Sequence, residues 1–353
     1  MSSSTKPPSI GPTLRSVPER RYEAVSGTWV VIAADRASRP HDIRTAAANP
    51  LKLESCAFCA GREDETTPAV ATWAPLSGSS GEPWQVRIVP NLYPAFIDPS
   101  ETLPLEFAES ESSASGQPSR GYHDVVIESP QHVRRLTDLS KEECHLVFQA
   151  YRERLRQYAT DPEIKVGLIF KNCGGSAGMS REHIHSQMVG LPFVPTTLQT
   201  ELDRSQAYYS KFGTCLFCDL IQQEREHGKR VVEETEQLIA YCPFASRFAF
   251  EIWILPKKHL FSFEDLANDS LSELSELMQR LLGKLEKQLG EPSYNYLIHT
   301  SPFDSHRKDH YHWHIEIIPR LSQLAGLELG SGIHINSVPP EAAAALLRQN
   351  INR

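Results

Sequence analysis

Four cysteines and six histidines carry most of the chemistry this sequence can do. The cysteines form two C-x-x-C pairs, Cys56-Ala-Phe-Cys59 and Cys215-Leu-Phe-Cys218. Two intervening residues let a tight turn present both sulfurs to one tetrahedral metal ion. His183-Ile-His185 and His312-Trp-His314 are both H-x-H. One more histidine, His132 after Pro130 or His259 after Pro256, lies between each C-x-x-C and its H-x-H. From that histidine to the H-x-H the gap is 51 residues in one half (132 to 183) and 53 in the other (259 to 312). A ligand order that occurs twice signals an internal duplication. It predicts two Cys2His2 groups: Cys56, Cys59, His132 and His183, then Cys215, Cys218, His259 and His312. Four protein ligands leave no open coordination position. The expectation is therefore two zinc ions per chain, both structural.

If His183 holds metal, His185 is free. Imidazole titrates near neutrality, so much of it is unprotonated and nucleophilic at physiological pH. It can attack phosphorus and form a phosphoramidate reactive enough to pass on. Gln187, two residues further along an alternating β-like run, shares its face of the strand. Its amide N–H can donate to a phosphoryl oxygen, but a glutamine cannot act as an acid. That pairing suits transfer through a stable intermediate better than hydrolysis. Upstream, the small-residue segment Asn172-Cys-Gly174-Gly175-Ser-Ala-Gly-Met-Ser180 is able to cradle phosphate oxygens with its backbone N–H groups.

These residues need a scaffold. Each H-x-H sits in an alternating run, predicted as a strand. Trp29–Ala33, Tyr122–Glu128 and Ile164–Phe170 read as further strands of the first half. Ser140-Lys-Glu-Glu143 is a capping box that opens a helix with the apolar stripe Cys144, Val147, Phe148, Tyr151 and Leu155. The second half repeats the order, with strands over Phe248–Leu255 and Tyr294–His299. Between them runs a helix with the stripe Leu271, Leu274, Leu277, Met278, Leu281 and Leu285. The fold class is α+β: two duplicated domains, each an antiparallel sheet with a long helix packed on it. The expected division is a flexible N-terminus over 1–20, a catalytic domain over 21–197 and a second metal-binding domain over 198–353. Pro192 and Pro195 mark the junction.

Composition narrows the classes. The chain has 353 residues, 36 basic against 44 acidic, for a net charge of −8. That balance argues against a nucleic-acid partner. No apolar run approaches the length of a membrane span, and the start shows no secretory signal. Seven cysteines, an odd count, fit a reducing cytoplasmic compartment better than a disulfide framework.

The segment Phe170-Lys-Asn-Cys-Gly-Gly-Ser-Ala-Gly-Met-Ser-Arg-Glu-His-Ile-His-Ser-Gln187 resembles the active-site segment of the galactose-1-phosphate uridylyltransferase family, the H-x-H-x-Q transferase branch of the histidine-triad superfamily. The likeness runs from about Arg21 to the C-terminus. It implies histidine-triad-like domains and a covalent nucleotidyl-histidine at His185. It also implies a phosphate site of Asn172, Ser180, His185 and Gln187, with Arg36 and Arg39 as phosphate-contacting arginines and Asn91 on the nucleotide side. A homodimer follows by the same resemblance, with a C-terminal segment near Gly326 reaching the neighbouring site. The segments Gly121–Pro130, Phe250–Ile254 and Tyr294–Pro302, and the second C-x-x-C, look like a plant-type adenylyl-transferring branch. For that branch the implied reaction is ADP-glucose plus phosphate giving ADP and glucose 1-phosphate. Leu324-Ala-Gly-Leu-Glu-Leu-Gly-Ser-Gly332 lacks the lysine with which the true uridylyltransferases hold a hexose phosphate, so a smaller acceptor is expected. The alternatives are exchange between UDP-glucose and galactose 1-phosphate, cleavage of dinucleoside polyphosphates, and a zinc-stabilised binding module without catalysis. The last fits poorly with His185-Ser-Gln187 beside a glycine-rich turn. The resemblance makes the second half structural, so His314 and Glu316 are not expected to perform the chemistry.

Overall fold

A computed structural model describes residues 17–38, 56–74, 84–101, 119–303 and 308–349. From the N-terminus, β1 (Glu19–Tyr22) and β2 (Trp29–Ile32) form a hairpin. β3 (Ala71–Trp73), β4 (Val86–Pro90) and β5 (Tyr122–Ile127) follow, then helix α1 (Lys141–Tyr158) and strands β6 (Val166–Cys173) and β7 (His185–Leu191). Helices α2 (Thr196–Phe212) and α3 (Leu216–His227) lead into the second half. There β8 (Val231–Glu234), β9 (Leu238–Tyr241) and β10 (Ile252–Pro256) precede α4 (Asn268–Leu289), β11 (Tyr294–His299) and β12 (His314–Pro319). α5 (Gly326–Ser331), β13 (His334–Asn336) and α6 (Pro340–Arg348) complete the described chain.

The duplication is written into the sheet. Its order is β3-β4-β5-β7-β6-β11-β12-β10-β9-β8, so each half runs from its outer edge in the same sequence of strands. The halves join where β6 pairs antiparallel with β11, Phe170 opposite Leu297. One ten-stranded sheet therefore crosses the whole molecule. β1, β2 and β13 form a separate small sheet.

α1 and α4 lie on one face of the large sheet. Ser140 caps α1 as expected: its hydroxyl accepts from Glu143 N–H at 3.1 Å, and the Glu143 carboxylate accepts from Ser140 N–H at 2.7 Å. Both predicted stripes, Cys144 to Leu155 and Leu271 to Leu285, are fully buried in one shared core. Truncating any one of these leucines to alanine should cost about 2–5 kcal/mol. The opposite face carries α2 and α3, whose Leu198, Leu202, Phe217 and Ile221 pack on Val189, Leu191 and Trp253. Period-two alternation on β7 thus sends Ser186 and Met188 to the long-helix side and His185, Gln187 and Val189 to the other.

Several elements depart from expectation. The predicted strand over Phe248–Leu255 begins only at Ile252, because Phe250 takes a left-handed φ of 61° that breaks the extended run. Both H-x-H strands begin at their second histidine, with His183 and His312 in the approach. The proline-marked junction holds helix α2, with Pro195 as its N-cap. β1 starts at Glu19, inside the stretch read as loose. Among the described residues no helix is long and apolar enough to cross a membrane.

Candidate active site and metal centres

The first predicted quartet comes together. Cys56 and Cys59 sit in a turn ahead of β3, His132 follows β5, and His183 precedes β7. One ligand atom from each of the four lies within 4.8 Å of the others. Cys56 Sγ is 3.5 Å from His183 Nδ1; Cys59 Sγ is 3.5 Å from His132 Nδ1 and 3.6 Å from His183 Nδ1. A tetrahedral zinc with ordinary Zn–S and Zn–N bonds requires S···N edges of roughly 3.6 Å. His183 Nε2 donates to the Ser129 carbonyl at 2.9 Å, which turns Nδ1 toward the sulfurs. Burial pushes the His183 pKa down to about 4, so its ring is the neutral form a metal ligand must be.

The second quartet repeats this. Cys215 caps α3, Cys218 lies in its first turn, and both meet His259 and His312 within the same 4.8 Å. Cys218 Sγ is 3.5 Å from His259 Nδ1 and 3.7 Å from His312 Nδ1, and His312 Nε2 donates to the Pro256 carbonyl at 2.9 Å. Donor set, spacing and outer hydrogen bonds fit a closed metal site in both halves.

His185 opens β7 and lines a cleft of about 440 Å³ with Gln187, Asn91, Ser180, Arg181 and Phe58. Its Nδ1–H donates to the His183 carbonyl at 2.8 Å. The Nε2 lone pair has no partner among the described residues. Burial lowers the His185 pKa, which keeps that lone pair free of a proton near neutrality. On the far side of the strand a sealed polar network supports it. Lys171 Nζ bonds Glu128 Oε2 at 2.5 Å and the His185 carbonyl at 3.0 Å, while Tyr151 OH bonds Glu128 Oε1 at 2.7 Å and Ser186 Oγ at 2.8 Å.

The cleft gathers His185, Gln187, Asn91 and Ser180, but other expected contacts lie elsewhere. Asn172 Oδ1 accepts from Asn295 of β11 at 2.8 Å, and Asn295 also holds the Ala177 carbonyl at 2.9 Å. The second half thereby anchors the glycine-rich turn. Gly174 has φ +85°, and a Cβ there would meet Ser293 Oγ at 2.2 Å, so no other residue fits. Gly174 and Gly175 serve this turn and are not cleft-lining residues. Arg36 is exposed in a short helical turn after β2, and Gly326 is exposed at the start of α5. Arg39 lies outside the described residues.

Three features in or behind the cleft were not read from the sequence. Arg181 stacks its guanidinium 5.2 Å over Phe58 and forms no ion pair among the described residues. It brings positive charge beside His185. Tyr93 is 83% exposed at the cleft rim. His123 of β5 stands behind Gln187, its Nε2 2.9 Å from Gln187 Oε1. The alternation Tyr122–Ile127 could have placed His123 and Val125 on one face, but nothing in the sequence says that β5 pairs with β7.

His314, the counterpart of His185, is sealed. Its ring lies 4.6 Å from His299, 5.1 Å from Phe217 and 5.3 Å from Trp253, and its Nε2 is buried without a partner. Glu201, His299 and His314 also place ligand-type atoms within 4.8 Å of one another. Burial would lower His299, but the Glu201 carboxylate 3.1 Å away outweighs it and raises its pKa to about 9. Burial works against the Glu201 charge as well, and His299, His314 and Tyr311 overcome it, to about 2.

A strand that follows a Cys2His2 cluster and presents an unpartnered histidine nitrogen and a glutamine to a cleft offers the groups that transfer through a covalent histidine requires. The profiles described as galactose-1-phosphate uridyl transferase, N-terminal domain and C-terminal domain, match residues 10–195 and 201–330. The chain belongs to the galactose-1-phosphate uridylyltransferase family, a family of nucleotidyltransferases. It is 37% identical over 339 residues to an ADP-glucose phosphorylase of Arabidopsis thaliana, covering 94% of this chain and 93% of the relative. A galactose-1-phosphate uridylyltransferase of Thermotoga maritima is 25% identical over 339 residues, covering 94% and 98%. The crystal structure of an Arabidopsis thaliana ADP-glucose phosphorylase with bound ADP-glucose superposes with a TM-score of 0.80 at 35% identity, over 96% of this chain and 100% of that one.

Proposed function

We propose that this chain is an ADP-glucose phosphorylase that works through a nucleotidyl-histidine. The observation that carries the reading is the unpartnered, unprotonated Nε2 of His185 beside Gln187 in the cleft. The 37% identity to a relative of that activity supports the choice of nucleotide sugar. His185 Nε2 attacks the α-phosphorus; the bond to the bridging oxygen breaks, and glucose 1-phosphate leaves. The ring becomes cationic, and its Nδ1–H bond to the His183 carbonyl strengthens with the charge. Gln187 and Arg181 face the phosphoryl oxygens. An oxygen of inorganic phosphate then attacks the same phosphorus, the P–N bond breaks, and ADP departs. Residues 21–197 supply the chemistry, and 198–353 complete the scaffold. Cys56, Cys59, His132 and His183 would hold one zinc and Cys215, Cys218, His259 and His312 a second, and each ion would supply a cross-link, the first steadying the backbone that carries His185.

The molecule acts as a homodimer in this reading. Leu321, Leu324, Leu327 and Leu329 are 40–75% exposed in and before α5, apolar surface suited to cover by a neighbouring subunit. Sedimentation should give a dimer. A monomer with full activity at nanomolar concentration would count against it. Steady-state assays of ADP-glucose and UDP-glucose, each with phosphate and with galactose 1-phosphate, test the reaction. Turnover is expected for ADP-glucose with phosphate. A clear preference for UDP-glucose with galactose 1-phosphate would replace this reading with hexose-1-phosphate uridylyl transfer.

A further inference from the structure

Gln187 helps a phosphoryl group only if it presents N–H rather than C=O to the cleft, and a glutamine amide does not choose its own orientation. Contacts behind it do. The backbone N–H of Ala95 donates to His123 Nδ1 at 3.0 Å. A main-chain N–H can only donate, so Nδ1 carries a lone pair and the neutral ring holds its proton on Nε2. That Nε2–H points at Gln187 Oε1, 2.9 Å away. The backbone N–H of Tyr93 donates to Asn91 Oδ1 at 2.9 Å, which fixes the Asn91 amide with Nδ2 3.2 Å from His123 Nε2 and 3.5 Å from Gln187 Oε1; with Nε2 carrying hydrogen, the Nδ2 hydrogen is left to Gln187 Oε1. Gln187 Oε1 thus faces two donors, each oriented by a main-chain group that cannot turn round. A reversed Gln187 would set its NH2 against His123 Nε2–H and its carbonyl against an anionic phosphate.

We propose that His123 is a positioning residue for nucleotidyl transfer. Locked in the Nε2–H tautomer by Ala95, it holds the Gln187 amide with its NH2 toward the phosphoryl group under attack. Gln187 lines the cleft and His123 does not, so His123 acts through Gln187. This rests on the nucleotidyl-histidine reading above.

Two measurements on the full chain test it. Ring ¹⁵N shifts of His123, assigned by their loss in His123→Phe, report the tautomer without any turnover. A protonated Nε2 and bare Nδ1 are expected; the opposite tautomer overturns the proposal. Single-turnover labelling with ADP-glucose carrying label in the α-phosphate then compares wild type, His123→Phe and His123→Gln. His123→Phe should slow labelling by about 10- to 100-fold, the scale of a misdirected donor to a charged transition state. Equilibrium binding of ADP-glucose should change by less than about threefold, because the loss falls on the chemical step. His123→Gln, with an N–H2 near the position of Nε2, should recover most of the rate. A wild-type rate in His123→Phe overturns the assignment. So does a parallel loss of rate, binding and melting temperature that His123→Gln does not restore. Wild-type protein that takes up no label refutes the nucleotidyl-histidine instead, and the tautomer measurement still decides whether His123 holds Gln187 this way.

Discussion

His185 and His314 open equivalent strands in two copies of one fold, each next to a Cys2His2 group and each facing the phenylalanine of its C-x-x-C. Phe58 lies 5.5 Å from His185 and Phe217 lies 5.1 Å from His314. The surroundings differ. Phe58 lines an open cleft beneath Arg181, whereas Phe217 is fully buried with Tyr311 and Trp253 over the second histidine. Gln187 is left with a free amide edge, whereas Glu316 is occupied by Arg247 at 2.5 Å. Behind β7 lies the Lys171–Glu128–Tyr151 network; behind β12 lie Ile315 and Ile317 in the apolar core. The Cys2His2 cluster and the strand that follows it are therefore scaffold common to both halves, although Cys56 and Cys59 lie in a turn and Cys215 and Cys218 at the start of a helix. On the proposed reading, what separates the two halves is the open space before His185 and the hydrogens that Gln187, unlike Glu316, has to offer.

The sharpest way to break this comparison is to remove the two histidines in turn. His185→Ala should lose several powers of ten in rate, because no neighbour replaces a covalent nucleophile. His314→Ala should keep most of the activity. Enzyme given α-labelled ADP-glucose without acceptor should hold acid-labile, base-stable label. Label that survives in His185→Ala would move the chemistry elsewhere in the molecule.

Replacing metal ligands comes next. Cys218→Ser should destabilise the fold by more than about 4 kcal/mol, the range of metal-site losses, and change the chemical step little in the protein that remains folded. Cys59→Ser should harm both, since its partner His183 holds His185 through a backbone carbonyl. Elemental analysis should find about two zinc per chain; less than one in active protein would remove both centres from the account.

Lys171→Met tests the support that, among the described residues, the first half has and the second lacks. It strands the buried Glu128 carboxylate, at a cost of about 3–5 kcal/mol, and frees the His185 carbonyl. Replacing both charges, with Lys171→Met and Glu128→Leu, should recover most of the stability. Urea titrations that find the single variant as stable as wild type would mean the network is ornamental.

The smallest effect belongs to the sealed half. His299, raised to about 9, contributes fully below its unfolded value near 6.5 and loses that contribution as pH rises through 9. Glu201, lowered to about 2, contributes fully above roughly 4.5 and loses it as pH falls toward 2. The melting-temperature advantage of wild type over Glu201→Gln should be greatest near pH 5–6 and shrink toward pH 9.5. An advantage independent of pH would show that the pair is not ionic.

Much of the clustering was legible because cysteines and histidines able to share a metal declare themselves by type and spacing. Both quartets, the capping box at Ser140 and the two helix stripes depend on local periodicity, and His185-x-Gln187 stands out once His183 is assigned to metal. The failures have equally local causes. Pro192 and Pro195 read as breakers, yet a proline preceding the first helical turn leaves no hydrogen bond unmade, and α2 begins there. Glu201 and Ser205 on that helix disguise its buried face, because a carboxylate is buried only where a partner such as His299 waits. The strand at Phe248 was shortened by a single positive φ that its residue type does not announce.

The sequence by itself determined the duplication, the two Cys2His2 quartets and the residue types able to carry a phosphoryl group. These are properties of spacing along one chain. Only the tertiary structure decided that β6 meets β11 in one continuous sheet, because backbone pairing leaves no side-chain signature. The same is true of the seal over His314 by Phe217 and Trp253, and of the placement of His123 behind Gln187 and Arg181 over Phe58. Each of those contacts joins residues from separate elements, and its energy exists only once the sheet has brought them together.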